Sequence, residues 1–302
     1  MGKVLTKVMG IAACGWLNVR KWPANPRLYV IVLLLGSFLL SLLVSVRRFC
    51  ADADVGVTPW LFPFLMDNPY LVFVFMLGIL LLFCDAPFID AHQAGVIIRM
   101  GKTTWALGQI FYVMVASALY FAAVFVLSLV LMFPHVGFSW EWGQIIGTLA
   151  QTNAGGAYDV PFFLSYRIML DYSPVSALAW CFGLCWLLGV FLGLIHFVVN
   201  QSLGRGFGTA LALFLIFLPF FAFDMGSGRL FVLDVGGLYK IVTVDYFSPV
   251  SWASLNSMDV ANYKPLPPRS YAVSALVGLN VVLSGLAVLV VRKKSVDVLP
   301  PV

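Results

Sequence analysis

The chain has 302 residues, 62% of them hydrophobic and 10% charged, with a formal net charge of +5. Soluble domains carry about 25% charged residues, and 18 Lys and Arg with 13 Asp and Glu cannot cover a water-soluble globule of this size. A soluble domain is therefore excluded. Long apolar stretches read as membrane spans, and the absence of a ten-residue alternating pattern selects helices over a membrane barrel.

Residues 1–27 form a basic apolar leader containing Lys3, Lys7, Arg20 and Lys21. It suits a helix lying in the headgroup plane until Pro23 and Pro26 break it. The first apolar run has no small-residue cleavage site after it, so it reads as a retained span rather than a signal peptide. Six spans are predicted in an all-α chain, at 28–46, 68–84, 105–133, 174–199, 207–224 and 271–291. The second is short, and the third is long enough to tilt or protrude.

Lys and Arg set the orientation. With the N-terminus inside, the segments 1–27, 85–104, 200–206 and 292–302 hold 11 of the 18 cations and only Asp85, Asp90 and Asp297 among the acids. That distribution predicts both termini in the cytoplasm of a multi-pass cell-membrane protein. The segments 134–173 and 225–270 become long outer loops. They are rich in aromatic and apolar residues and read as ordered. Residues 171–180 (DYSPVSALAW) and 245–254 (DYFSPVSWAS) echo one another. The first copy starts a span at Pro174, and the second is expected to begin a short helix dipping into the outer leaflet. Ser173, Ser176, Ser248 and Ser251 in these copies read as helix starts.

The stretch AGVIIRMGKTTW, 94–105, imitates a phosphate-binding loop but fails its spacing. Five residues, not four, separate Gly95 from Gly101-Lys102-Thr103, and no strand precedes them. It reads instead as a cytoplasmic helix. Asp85 caps it, Pro87 occupies an early position, Asp90 sits where the macrodipole favours a carboxylate, and Gly101 ends it. At 100° per residue, Phe88, His92, Gly95, Arg99 and Lys102 form one stripe, while Ile89, Val96 and Met100 form an apolar face. Such a stripe suits docking of another protein or of lipid phosphates.

Polar side chains inside spans are few: Gln109, His196, Asn200 and Asn280. Each is a candidate for the substrate path or for helix packing. Gly189-x-x-x-Gly193 permits close helix approach. The mid-span carboxylates of a proton-coupled pump are absent, as are a zinc-protease motif and a nucleophile–base set, so no enzymatic activity is expected of this chain. Five cysteines form no disulfide framework, and Cys181 and Cys185 read as small packing residues rather than metal ligands.

The segment 85–131, with its topological surroundings, resembles the membrane subunit of an ABC exporter of the type 2 permease class. The residues carrying the resemblance are Asp85, Pro87, Asp90, Gly95, Arg99, Gly101 and Lys102. Two departures stand out: "DAHQAG" replaces the usual Glu-rich text, and the 134–173 loop is longer than the common pattern. The resemblance implies that the loop is a coupling helix inserted into an ATPase subunit acting in trans. It further implies a second permease subunit, identical or related, and places ATP and Mg on the partner with no cofactor on this chain. Membrane lipid is the remaining expected partner, and nucleic acid is not one. The alternative is a non-transporting anchor or assembly factor whose loop helix recruits a cytoplasmic protein.

Overall fold

The computed structural model describes residues 2–88, 93–204, 206–224, 229–235, 238–259 and 266–293. Each predicted span lies on a helix. They are α2 (Pro26–Ala53), α4 (Pro69–Phe83), α6 (Lys102–Met132), α10 (Pro174–Leu203), α11 (Phe207–Asp224) and α12 (Arg269–Lys293). Four of them, α2, α6, α10 and α12, are long and apolar enough to cross a membrane, whereas α4 and α11 are shorter. At 1.5 Å per residue the 31 residues of α6 span about 46 Å, well beyond about 30 Å of hydrocarbon.

The leader is α1 (Gly2–Arg20). A 3-10 turn at Trp22–Ala24 then breaks the chain where the prolines were expected to break it. Asn25 caps α2 by accepting a hydrogen bond from the Arg27 amide at 3.1 Å, and Pro26 fills the first helical position, where a missing N–H costs little. Asn68 and Pro69 repeat that device at the start of α4, with Asn68 accepting from the Tyr70 amide at 2.9 Å.

α10 is the centre of the bundle: 67% of its apolar window is buried, against 17% for the peripheral α12. The glycine pair read from the sequence makes this centre possible. A Cβ on Gly189 would stand 3.1 Å from the Ser117 side chain, and one on Gly193 would stand 2.6 Å from Val113 Cγ1. α6 therefore lies directly on α10 at the two glycines. α4 packs by the same means. The Tyr120 hydroxyl donates to the Phe75 carbonyl at 2.6 Å, and a Cβ on Gly78 would lie 2.1 Å from that oxygen. In an apolar interior this bond gives the hydroxyl the partner it needs.

The helix connections gather at two ends. One, the cap, joins residues 54–68, 134–173 and 244–259. Val57 forms a parallel bridge with Val136, and Gly137 donates to the Val57 carbonyl at 2.9 Å. α3 (Phe62–Leu65) is wholly buried, and Thr58 Oγ1 and Trp60 Nε1 donate to the carbonyls of Trp142 and Ser139 at 2.7 and 2.8 Å. α7 (Gly143–Gln151) buries Ile145, Ile146 and Leu149, followed by α8 (Ala154–Ala157) and α9 (Tyr166–Asp171). The cap is ordered, as its composition predicted.

Two departures from an all-helical chain occur here. β1 (Arg229–Val235) and β2 (Leu238–Thr243) pair antiparallel, with Val235 opposite Leu238. The echoed segments also differ in structure. Ser173 and Pro174 open α10, whereas 245–254 forms two 3-10 turns, Val244–Tyr246 and the fully buried Pro249–Ala253, rather than an α-helix. Ser173 and Ser248 both occupy N-cap positions, without a side-chain cap bond.

Candidate functional site

The opposite end of the bundle, where α1 packs, carries the residues singled out from the sequence. α1 crosses α6 with backbone contact. A Cβ on Gly15 would stand 2.7 Å from the Gly108 carbonyl oxygen, and one on Gly108 would stand 2.7 Å from Cys14 Cβ. One turn on, Asn18 Nδ2 donates to Gln109 Oε1 at 2.7 Å, both side chains being buried. Gln109 therefore joins the leader to α6. Its Nε2 has no hydrogen-bond partner among the described residues.

Asp85 does not cap a helix, which corrects the sequence reading. A turn with a cis Ala86–Pro87 bond follows α4, and Asp85 forms an ion pair with Arg27 at the start of α2. Phe88 leaves the expected stripe as well. It adopts a positive φ of 57° and turns inward, its ring 4.9 Å from that of Tyr112 and 6.3 Å from that of Phe83. An aromatic ring gains more from that apolar slot than from an exposed helix face. Asp90, His92 and Ile89 lie outside the described residues.

The helix itself is α5, Gln93–Met100. Val96 and Met100 pack against the core as their face predicted, joined by Ile97. On the other side Gly95 and Arg99 are exposed, together with Ile98 at 83%. A Cβ on Gly95 would meet nothing within 4 Å. Gly101 ends α5, its amide donating to the Ile97 carbonyl at 2.9 Å. Its own carbonyl accepts from Trp105 at 3.1 Å, so it also begins α6. Its φ of +81° and ψ of 153° belong to a region almost confined to glycine. Lys102 follows as the first residue of α6. An exposed surface of Gly95, Ile98 and Arg99 is thus joined by one residue to the longest helix of the bundle.

Asn200 ties three elements together. Its Nδ2 donates to the carbonyls of Cys84 at 3.3 Å and Ala86 at 3.0 Å, and its Oδ1 accepts from the Gly208 amide at 3.0 Å. The free end groups of α4 and α11 find partners in one side chain. His196, one turn earlier, is fully buried. Its Nδ1 lies 2.8 Å from the Leu192 carbonyl, and its Nε2 has no partner among the described residues. Asn280 Nδ2 donates to the Leu187 carbonyl at 3.0 Å, holding α12 on α10. Of the four polar span residues, Gln109, Asn200 and Asn280 thus make helix-joining bonds. Among the described residues no three His, Cys, Asp or Glu side chains gather as a metal site, and Cys181 and Cys185 are buried and free.

One polar feature was missed by the sequence reading. At the cap, Asp67 accepts from Ser254 Oγ and Asn256 Nδ2, each at 2.6 Å. Burial raises its carboxyl above the ordinary value, and the two hydrogen bonds and Arg167 only partly offset this. Asp245 is raised by burial as well. Both line a cavity of about 230 Å³ with Ser251, Ser254 and the α11 proline Pro219. Asp67 and Asn256 are 189 residues apart, so no local pattern announces the contact. No family model, curated protein or solved structure matches this chain.

Proposed function

We propose that this chain is the membrane-spanning subunit of an ATP-driven exporter, taking its energy from a separate ATPase that docks on α5. In this reading α4 and α11 cross the cell membrane together with the four longer helices. The α1 end and both termini face the cytoplasm, and the cap lies outside. Two such subunits, identical or related, enclose the substrate path. ATP and Mg belong to the partner.

The observation that carries the reading is the joint between α5 and α6. α5 is anchored on one face by Val96, Ile97 and Met100 and is bare on the other at Gly95, Ile98 and Arg99. Gly101 alone separates α5 from α6, hydrogen-bonded to both, and α6 lies on α10 through Gly189 and Gly193. A motor pushing α5 would therefore tilt α6 against the centre of the bundle. ATP drives such a change only if the ATPase binds one arrangement better than the other.

The test uses Gly95→Trp. The open space around Gly95 lets the bundle fold unchanged, while the indole occupies the surface a partner would contact. The full chain, purified from its native membrane, is expected to bring down an ATPase. Gly95→Trp should abolish that association or uncouple hydrolysis, with the same elution profile in detergent. Recovery of a partner without nucleotide-binding loops would favour the anchor reading. An ATPase retained and equally active on the variant would overturn the docking assignment.

A further inference from the structure

The cavity of about 230 Å³ at the cap lies where α4 and α11 meet the 3-10 turns that follow β2. One side of it is polar, with the carboxyls of Asp67 and Asp245 and the hydroxyls of Ser251 and Ser254. The other is apolar, formed by Pro69 and Val72 of α4, Pro219 of α11 and Val250. Among the described residues no lysine, arginine or histidine lines it. Ser251 is the member that the fold leaves unexplained. It is 7% exposed and faces the cavity, and its Oγ has no hydrogen-bond partner among the described residues. It sits near enough to Asp245 to ease the rise of that carboxyl, yet outside hydrogen-bonding geometry. A buried hydroxyl without a partner is costly, so a polar group is expected to meet it from the cavity side.

We propose that this cavity binds a short primary alkylammonium ion, with its nitrogen on Asp67, Asp245 and Ser251 and its carbon chain against the apolar wall. Charge selects a cation. Burial raises both carboxyls, and the lining supplies no positive side chain to balance them. The donor count selects an ammonium group, whose three N–H bonds match two carboxyls and one free hydroxyl. Asp67 keeps acceptor capacity beyond its bonds to Ser254 and Asn256, because a carboxylate has about four lone-pair sites. Shape selects an organic ion over a metal. The volume is several times the roughly 30 Å³ share of one water, yet below the roughly 300 Å³ at which drug-sized sites begin. A metal ion would gain nothing from the apolar half, and among the described residues no three His, Cys, Asp or Glu side chains gather to hold one. Asp245 and Ser257 are half-buried, so the cavity reaches the surface on their side. The site stands on the cap alone and needs neither an ATPase nor a second subunit.

The test is equilibrium dialysis of the full chain in detergent against radiolabelled butylammonium, counting only the label that excess unlabelled butylammonium displaces. One ion per chain is expected, with a Kd of about 1 mM for so small a ligand. Equal concentrations of 1-butanol, which lacks the charge, or of calcium chloride should leave the label in place. Asp245→Asn should weaken binding about tenfold, from one lost charge-assisted contact, and Ser251→Ala about fivefold. Asp67→Asn should act like Asp245→Asn; because Asp67 also holds Ser254 and Asn256, the Asp245 and Ser251 variants carry the test where that protein elutes as aggregate. Ser257→Phe, entering from the half-buried rim, should abolish binding. Displacement by 1-butanol would reduce the site to an apolar recess, and displacement by calcium would make it a metal site; either result overturns the ammonium assignment. Unchanged affinity in folded Asp245→Asn and Ser251→Ala proteins would remove the site from this cavity.

Discussion

Asn18→Ala tests whether the leader is a docked part of the bundle. In the wild type Gln109 Oε1 accepts from Asn18, while Gln109 Nε2 has no partner among the described residues. Removing Asn18 leaves both ends of a fully buried amide without that helix's support. An orphaned buried polar group costs about 1–3 kcal/mol. If the loss falls on the docking equilibrium of α1, the undocked population rises about 5- to 150-fold. Cys14 reports this directly, because it is 1% exposed and covered at the Gly15–Gly108 crossing. Its maleimide modification, followed residue by residue by mass spectrometry, should accelerate by that factor. Cys181 and Cys185, buried far along α10, should keep their rates. Replacing both partners, as Asn18→Leu with Gln109→Leu, removes the polar groups together and should return Cys14 to near wild-type protection. An unchanged Cys14 rate in a well-folded Asn18→Ala protein would refute the claim that this amide pair holds α1 on α6.

Two other consequences are open to measurement. Gly78→Ala places a Cβ 2.1 Å from the Tyr120 hydroxyl and should lower stability by about 1–3 kcal/mol, read as a lower unfolding temperature in detergent. Adding Tyr120→Phe removes the oxygen in the way and should recover part of the loss; no recovery would place the strain elsewhere. At the cap, burial raises the Asp67 carboxyl, so the folded state favours the protonated acid. Its contribution is full below the ordinary value of 3.8 and is lost as pH rises through the raised value. Asp67→Asn lacks this titration. The variant should therefore gain stability relative to the wild type as pH increases from about 4 to 8, and a constant difference across that range would contradict the assignment.

Helix positions were legible because apolar runs and their proline starts are local. Pro26, Pro69 and Pro174 begin helices within two residues of where composition placed the spans. Gly189 and Gly193 were legible for the same reason, being one turn apart on one helix. Gly15 and Gly108 form an equally close crossing, yet 93 residues separate them and neither has a local signature. The hairpin did carry one, since Gly236-Gly237 lies between two short β-branched and aromatic runs, 230–235 and 238–243. It was overlooked because the surrounding chain reads as loop.

The loop at 85–104 shows where helical periodicity stops being informative. A stripe computed at 100° per residue assumes one unbroken helix from Asp85 to Lys102. Gly95 and Arg99 obey it, because α5 begins at Gln93 and both lie on its exposed side. Phe88 does not, because it lies before that start and has an apolar slot between Phe83 and Tyr112 within reach. The expected Asp85 cap fails as well, because Arg27, 58 residues away, lies beside it. The periodic argument thus holds for the part of the loop that faces outward, where local propensity decides. It fails where tertiary partners offer more than a helix turn does. A docking partner would contact the first part, so the stripe to mutate is Gly95, Ile98 and Arg99 rather than Asp85 and Phe88. The second group should alter the α1 end of the bundle itself.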